Sequence, residues 1–243
     1  GKLRRAAGLR RSQTRGRVTP GGYLHLCEDG EHFAEYALCF DAERPLRLLI
    51  VPALFEEASR LRRFTVEVMR RLDGAGVDCF LPDLPGCNES LQALDAQTPA
   101  LWRDAMAQAA DHFRATHVLG LRGGGLILPH GLPGWRHAPV KGANLLRQML
   151  RARILAAREA GREETQEGLM AQGLESGLDL LGYPLGADFL REFQSLEPAP
   201  AAGISDIAQD MLGGAGLWLR AEPGEDRAQA DALAAVVAIG IKA

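Results

Sequence analysis

The sequence has no long apolar run, no closely spaced cysteines and no large excess of charge of one sign. No segment approaches the ~20 apolar residues that cross a bilayer, and no apolar signal-peptide core follows the first residues. The formal net charge of −3 gives no overall basic signal for nucleic acid. No C-x-x-C pair occurs among the four cysteines, which argues against a metal site and a dense disulfide framework; they are Cys27, Cys39, Cys79 and Cys87. These absences predict a soluble, cytoplasmic protein without a metal, a cofactor or a nucleic-acid partner.

Basic residues are concentrated in the first part of the chain. Residues 1–17 contain seven lysines and arginines and no acidic residue. We interpret residues 1–19 as a solvated, flexible tail, and the open alternative is an electrostatic contact with an anionic lipid or polymer. With 243 residues, 47% of them hydrophobic and 24% charged, the chain can bury a sizeable core. We therefore expect residues 20–243 to form one large domain.

Strand and helix patterns alternate through the first half of this domain. Residues 23–27 and 35–40 read as two opening strands joined by a polar segment. The nearly all-apolar run 46–52 is typical of a strand that is covered on both faces. After it, the pattern predicts a helix over 60–72, a strand over 77–81, a helix over 99–114 and a strand over 117–121. This β-α-β-α-β order predicts a mostly parallel sheet with right-handed crossovers.

The second half of the chain has a different pattern. Residues 129–139 read as a loop, and 143–172 as a charged helical stretch interrupted near Gly161. We interpret 129–176 as an inserted helical cap, for which an ordinary pair of surface helices is the alternative. The pattern further predicts a strand over 177–182, a helix over 188–195 and a Pro/Ala linker over 196–203. The last two strands are expected over 216–220 and 235–241.

One stretch, residues 116–128 (THVLGLRGGGLIL), reads as strand, sharp turn and helix, with the helix beginning at Gly123. Its turn, Gly120-Leu121-Arg122-Gly123-Gly124, resembles the G-x-S-x-G nucleophile elbow of α/β-hydrolases with arginine in place of serine. A guanidinium stays protonated and cannot attack an acyl carbon. The catalytic base would follow the last strand, yet the last histidine is His137. A conventional Ser-His-acid triad is therefore not recognisable.

Four segments, taken together, carry a resemblance to a known family. They are residues 51–63 (VPALFEEASRLRR), Asp83-x-x-Gly86-Cys87-x-x-Ser90, the turn at 120–124, and Trp135-x-x-x-Pro139-Val140-x-Gly142. In order and spacing they resemble the α/β-hydrolase-related proteins encoded with exosortase A systems, most closely the second of the two hydrolase types. The resemblance implies an α/β-hydrolase fold, with a mostly parallel central sheet flanked by helices and an inserted helical cap. It also implies a link to exopolysaccharide export and an acyl or carbohydrate ligand.

Several residues are expected at the carboxyl edge of the sheet, where open α/β sheets bind ligands. Gly123 and the Ala53–Leu54 turn could offer backbone N–H groups to an anion, helped by the dipole of the helix expected at Gly123. Glu56, Glu57 and Asp83 follow neighbouring strands. Our hypothesis is that Arg122 pairs with Glu56 or Glu57 and lines a pocket for a polar or anionic group.

Other residues are candidates for chemistry. Cys87 could act as a nucleophile or be an inert buried thiol, and His130 precedes the cap in a loop that could reach a pocket. Glu56 and Glu57 are weak catalytic candidates as well. Trp135 could stack on a sugar or an acyl chain, or only anchor the cap. Two functions stay open: a catalytically silent binding protein, and an atypical hydrolase of an acyl or carbohydrate ester or thioester.

Overall fold

The computed structural model of the protein describes residues 17–26 and 32–243. Cys27 and most of the predicted basic tail lie outside the described residues. The division into a tail, 1–19, and a domain, 20–243, with a cap at about 129–176, therefore stays a prediction. Among residues 17–26 and 32–243, no helix combines the length and the apolar character that a membrane crossing needs.

The described residues form nine strands, and seven of them build one central sheet in the order β1-β2-β4-β3-β5-β6-β9. β2 pairs antiparallel with both β1 and β4, whereas the pairs along β4, β3, β5, β6 and β9 are all parallel. β7 and β8 form a separate antiparallel pair. The strands are β1 Arg17–Leu26, β2 His32–Asp41, β3 Arg47–Val51, β4 Asp78–Pro82, β5 His117–Leu121, β6 Gly134–His137, β7 Leu178–Asp179, β8 Pro184–Leu185 and β9 Ile204–Ile207.

Helices cover both faces of the central sheet. They are α1 Glu56–Gly74, α2 Pro99–His112, α3 Gly142–Glu159, α4 Gln166–Ser176, α5 Ala187–Phe193, α6 Gln209–Leu212 and α7 Arg227–Gly240. α1 and α7 pack on one face, where the core contains Leu48 and Ile50. α2, α3 and α5 pack on the other, where it contains Leu49 and Val51. Because β3 buries side chains on both faces, its sequence is continuously apolar from Leu48 to Val51. The predicted α/β class is confirmed.

Most elements of the first half of the chain lie where the sequence predicts them. The opening strands form an antiparallel pair, and the helix predicted over 60–72 begins four residues earlier, at Glu56. The helical stretch at 143–172 divides into α3 and α4 on either side of Gly161, which adopts a φ of 72°. A positive φ of this kind suits glycine, because glycine has no Cβ to clash.

The predictions for the last two strands are wrong. Residues 217–219 form a single 3₁₀ turn, and residues 235–240 belong to α7. The apolar run in α7 contains β-branched residues, but it buries Leu233, Ala234 and Val237 at helical spacing. Asp226 starts the helix by accepting a hydrogen bond from the Gln229 N–H at 3.1 Å. A short apolar run does not distinguish a strand from a buried helix, so these neighbouring signals decide.

Two strands lie in or beside segments that the sequence presents as loop and linker. β6 occupies residues 134–137 of the predicted loop 129–139, and β9 directly follows the predicted linker 196–203. Gly134 permits the first of these pairings, because a Cβ at this position would lie 1.8 Å from the carbonyl oxygen of Val118 on β5. The many glycines and prolines of residues 129–139 favour a loop in the sequence pattern. In the structure, Gly134 instead allows β6 to pack closely on β5.

Candidate functional site

The turn after β5, residues 120–124, is called the elbow below. Arg122 lies at its centre with a φ of 51°, a left-handed conformation that costs a non-glycine residue about 1–3 kcal/mol. Residues Arg122–Leu126 form a 3₁₀ turn rather than the start of an α-helix. The prediction of a helix beginning at Gly123 is therefore wrong, because the glycine run stops after one tight turn. The helix dipole expected to favour an anion at Gly123 is absent from this part of the structure.

The glycines of the elbow are packed against other segments. A Cβ on Gly124 would lie 2.3 Å from the carbonyl oxygen of Pro52, so the elbow touches the backbone that follows β3. A Cβ on Gly123 would lie 2.7 Å from Leu145 Cδ1 and 3.0 Å from Leu54 Cδ1. The two leucines therefore pack closely against the Cα of Gly123.

The guanidinium of Arg122 is engaged by protein groups on every nitrogen. Its Nε donates to Glu57 Oε2 at 3.1 Å and its Nη2 donates to Glu57 Oε1 at 3.0 Å. Its Nη1 donates to the carbonyl oxygen of Ala138 at 2.8 Å. The Trp218 ring packs on the guanidinium, with Cζ 4.0 Å from the ring centroid. Arg122 and Glu57 are only 7% and 5% exposed, so the two charges neutralise each other inside the protein.

Glu57 is thus the partner of Arg122, and the predicted pairing is confirmed. Glu56 instead accepts a hydrogen bond from Arg60 Nη2 at 2.9 Å, and its side chain is 60% exposed. The two glutamates begin α1 as consecutive residues, so they point in different directions around the helix axis. One therefore faces the elbow and the other faces solvent.

A histidine lies close to this ion pair, although the sequence pattern places it in a loop before the cap. His137 ends β6, one residue before the carbonyl group that binds Arg122, and it is 1% exposed. Its ring packs against Phe64 and Trp218. Burial is the main cause that lowers the pKa of His137 to about 4; the hydrogen bond with the carbonyl oxygen of Ile207 acts in the opposite direction, and the Arg122 charge acts in the same direction as burial. The imidazole is therefore neutral at pH 7.

Two cavities open at the carboxyl edge of the sheet. The larger, about 930 Å³, lies at the ends of β3 and β4, and the smaller, about 300 Å³, lies between α1, α3 and the segment around Trp218. Among the candidate residues, Ala53, Asp83 and Cys87 line the larger cavity. Glu56 and Glu57 line the smaller, and Leu54 lines both.

The remaining candidate residues lie away from these cavities. Neither Arg122 nor Gly123 is among the residues that line them, and their role in holding a ligand stays a prediction. His130 is exposed in the loop before β6. Trp135 lies on β6 and stacks on the His117 ring, with the ring centroids 5.8 Å apart. Neither of these two side chains lines either cavity.

The larger cavity contains a buried carboxylate. Asp83 is 1% exposed, and its Oδ1 accepts hydrogen bonds from Asn88 Nδ2 at 2.9 Å and from Arg62 Nη1 at 3.4 Å. Burial raises the pKa of Asp83, although these hydrogen bonds and the Arg62 charge act in the opposite direction. Carboxylate, amide and guanidinium groups therefore meet in one cavity, and the positive charge of Arg62 lies against the negative charge of Asp83.

Cys87 lies in the same cavity as a protonated thiol. Burial, followed by the negative charges of Asp83 and Glu35, raises its pKa to about 12. Because the thiolate is the nucleophilic form, a thiol with this pKa is unreactive at neutral pH. In the described part of the chain, no group of three or more His, Cys, Asp or Glu residues could hold a metal ion.

Comparisons with known proteins find similar solved structures but no similar sequence. No protein-family model and no curated protein matches the sequence. Among solved structures, Est1E from Butyrivibrio proteoclasticus with bound ferulic acid is similar, at 17% identity over 71% of this chain and 70% of that chain, with a TM-score of 0.47. The α/β hydrolase GrgF from Penicillium sp. sh18 is similar at 14% identity over 73% of each chain, also with a TM-score of 0.47. At these levels the similarity carries no argument about chemistry.

Proposed function

We propose that this protein is a ligand-binding protein on an α/β-hydrolase fold and that its elbow does not cleave acyl bonds. The observation that carries the proposal is the engagement of every Arg122 nitrogen by Glu57 and Ala138 inside the protein. An elbow that catalyses acyl transfer needs a nucleophile, a base and room for an oxyanion beside the following N–H. Here the first position is a paired cation, and Leu54 and Leu145 fill the space beside Gly123.

The larger cavity is the proposed binding site. Its volume of about 930 Å³ is at the upper end of the range typical of small-molecule sites. Because Arg62 and Asp83 lie against each other there, the site favours a neutral polar ligand over an anion. Tyr183 and Phe55 add aromatic rings to the lining of the same cavity. Polar and aromatic groups in one cavity suit a sugar, and the resemblance to exosortase A system hydrolases links this ligand to exopolysaccharide.

Hydrolysis assays test the proposal that the elbow does not cleave acyl bonds. The native chain and Arg122→Ser would be incubated with short- and medium-chain nitrophenyl esters and acyl thioesters. We expect both proteins to release product no faster than a buffer blank, because the leucines beside Gly123 stay in place in the variant. Turnover by the native chain would contradict the proposal and favour the alternative, an ester or thioester hydrolase that uses non-standard residues.

Ligand binding tests the cavity. Saturation-transfer NMR with a panel of neutral monosaccharides would be run on the native chain, on Arg62→Ala and on Arg63→Ala. Arg62 lines the cavity and bonds Asp83, whereas the neighbouring Arg63 pairs with Glu225 outside it. We expect the sugar signal to be lost in Arg62→Ala and kept in Arg63→Ala. No signal with any sugar, or equal signals in both variants, would contradict the site. A cytoplasmic location and the contact of the basic tail with an anionic surface stay predictions.

A further inference from the structure

We propose that the smaller cavity, between the elbow and helix α3, binds a single unbranched apolar chain whatever the charge of its head group. This inference goes beyond the proposed function, because it concerns a different cavity and a different class of ligand. The wall of this cavity is mostly apolar.

Apolar side chains make up most of the wall. Leu54 and Leu145, which cover Gly123, also line the cavity. Further apolar side chains surround them, from α3, from the segment after β7 and from the turn at 217–219; they are Met149, Leu180, Leu181, Trp218 and Leu219. The volume of about 300 Å³ is at the low end for ligand sites, which favours a narrow ligand over a bulky one.

The charged groups of the wall are all paired. Glu57 is held by Arg122 behind the wall. Glu56 is held by Arg60, which also donates to the carbonyl oxygen of Trp218 at 3.0 Å. The remaining polar side chains, Gln148 and Tyr183, are uncharged. The charges of the wall, together with Arg122 behind it, therefore sum to zero, and an apolar chain in the cavity leaves no charge without its partner.

Large apolar side chains remain exposed where the cavity opens. Leu219 is 69% exposed and Leu181 is 46% exposed, although both line the cavity. Leu155 is 59% exposed and lies one helical turn beyond Ala152, another lining residue on α3. Exposed apolar side chains that cluster at a cavity mark binding surfaces more often than isolated ones do. A chain that leaves the cavity would cover them.

The cavity is separated from the larger one by side chains that belong to both walls. Leu54, Phe55 and Tyr183 line each cavity, and the Phe55 and Tyr183 rings pack edge to face with centroids 5.4 Å apart. A chain therefore enters the smaller cavity from the side of Leu181 and Leu219, without passing through the larger cavity. The two sites can be tested independently.

A chain-length series provides the test. Butanol, hexanol and octanol would displace a neutral naphthylamine fluorophore from the native protein, together with octanoate and octylamine. We expect affinity to rise about fourfold per methylene, which corresponds to burial of each group in an apolar site. Octanoate and octylamine are expected within about fivefold of octanol, because the charges at the rim are paired and solvated. No increase with chain length, or displacement by octanoate alone, would overturn the proposal.

Matched variants locate the chain. Ala152 lines the cavity and Ala156 lies one turn further along α3, and both are exposed. Ala152→Trp should weaken octanol binding at least tenfold by filling the cavity, whereas Ala156→Trp should not change it. Equal binding by the two variants would overturn the proposal. If Ala152→Trp does not fold, Leu219→Glu replaces it, with Leu91→Glu as its control, because Leu91 is 91% exposed outside the cavity. Sugar binding should be unchanged in all four variants. A loss of octanol binding can therefore be distinguished from a loss of sugar binding.

Discussion

Arg122 in the elbow and Glu57 at the start of α1 form a two-bond pair, with Nε–Oε2 at 3.1 Å and Nη2–Oε1 at 3.0 Å. Parallel hydrogen bonds of this kind fix orientation as well as charge. The pair connects the elbow to the first turn of α1 and, through Ala138, to the end of β6. The pair therefore joins three elements of the core.

Removal of the carboxylate should destabilise the protein strongly. Glu57→Gln leaves the Arg122 charge buried without its counter-ion, and we expect the free energy of unfolding to fall by about 3–5 kcal/mol. Urea unfolding followed by circular dichroism measures this change. Glu56→Gln is the matched control, because Glu56 is exposed, and it should change stability by less than about 0.5 kcal/mol. Equal effects of the two variants would contradict the role assigned to Glu57.

Gly124 should not tolerate a methyl group. A Cβ at this position would meet the backbone oxygens of Pro52 and Val51 at 2.3 and 2.7 Å, and backbone cannot move aside easily. We expect Gly124→Ala to cost about 3 kcal/mol. Gly74→Ala is the control, because a Cβ there has no atom within 4 Å and lies at the end of α1; it should stabilise by about 0.5–1 kcal/mol. Differential scanning calorimetry would show the melting temperature moving in opposite directions.

The pH dependence of stability should include a contribution from His137. Its pKa is lowered from 6.5 to about 4 in the folded protein, so between these values the unfolded chain binds the extra proton. Stability is therefore lost as the pH falls through this window. Between pH 7 and pH 4.5, the free energy of unfolding should fall by about 2 kcal/mol less in His137→Phe than in the native chain. Urea unfolding at both pH values measures the difference, and equal losses would show that His137 is not held neutral.

The thiol of Cys87 should react slowly despite its position in a cavity. A pKa raised from 9.0 to about 12 leaves about a thousandfold less thiolate at pH 8. Iodoacetamide labelling, followed residue by residue with peptide mass spectrometry, should therefore show Cys87 alkylated far more slowly than a cysteine in a denatured sample. Rapid alkylation of Cys87 in the folded protein would contradict this prediction and make Cys87 a candidate nucleophile again.

Much of the fold could be predicted from local sequence patterns. The apolar run at 46–52 and the helical spacing in 60–72 and 99–114 determine β3, α1 and α2, because burial on both faces or on one stripe leaves a clear pattern. The last third of the chain leaves a weaker signal. The apolar segment 235–241 is compatible with a strand and with a buried helix, and only Asp226 and the packing of α7 on α1 decide between them.

The candidate site was predicted in part. The sequence shows directly that an arginine occupies the centre of the elbow, and its pairing with Glu56 or Glu57 was expected. The neutralisation of Arg122 by Glu57 and the filling of the space beside Gly123 depend on tertiary packing of Leu54 and Leu145. The position of His137 depends on β6, and the glycines and prolines around β6 favour a loop in the sequence pattern. The spacing of residues along the sequence does not predict such tertiary contacts.

A double-mutant cycle on Arg122 and Glu57 tests most directly whether this cation serves the fold. Urea unfolding would be measured for the native chain, Arg122→Met, Glu57→Leu and the double variant. Each single change leaves one buried charge and should cost about 3–5 kcal/mol, whereas the double variant, with apolar groups in both places, should cost less than either single change. Additive losses in the double variant would contradict the claim and show that the two side chains act independently.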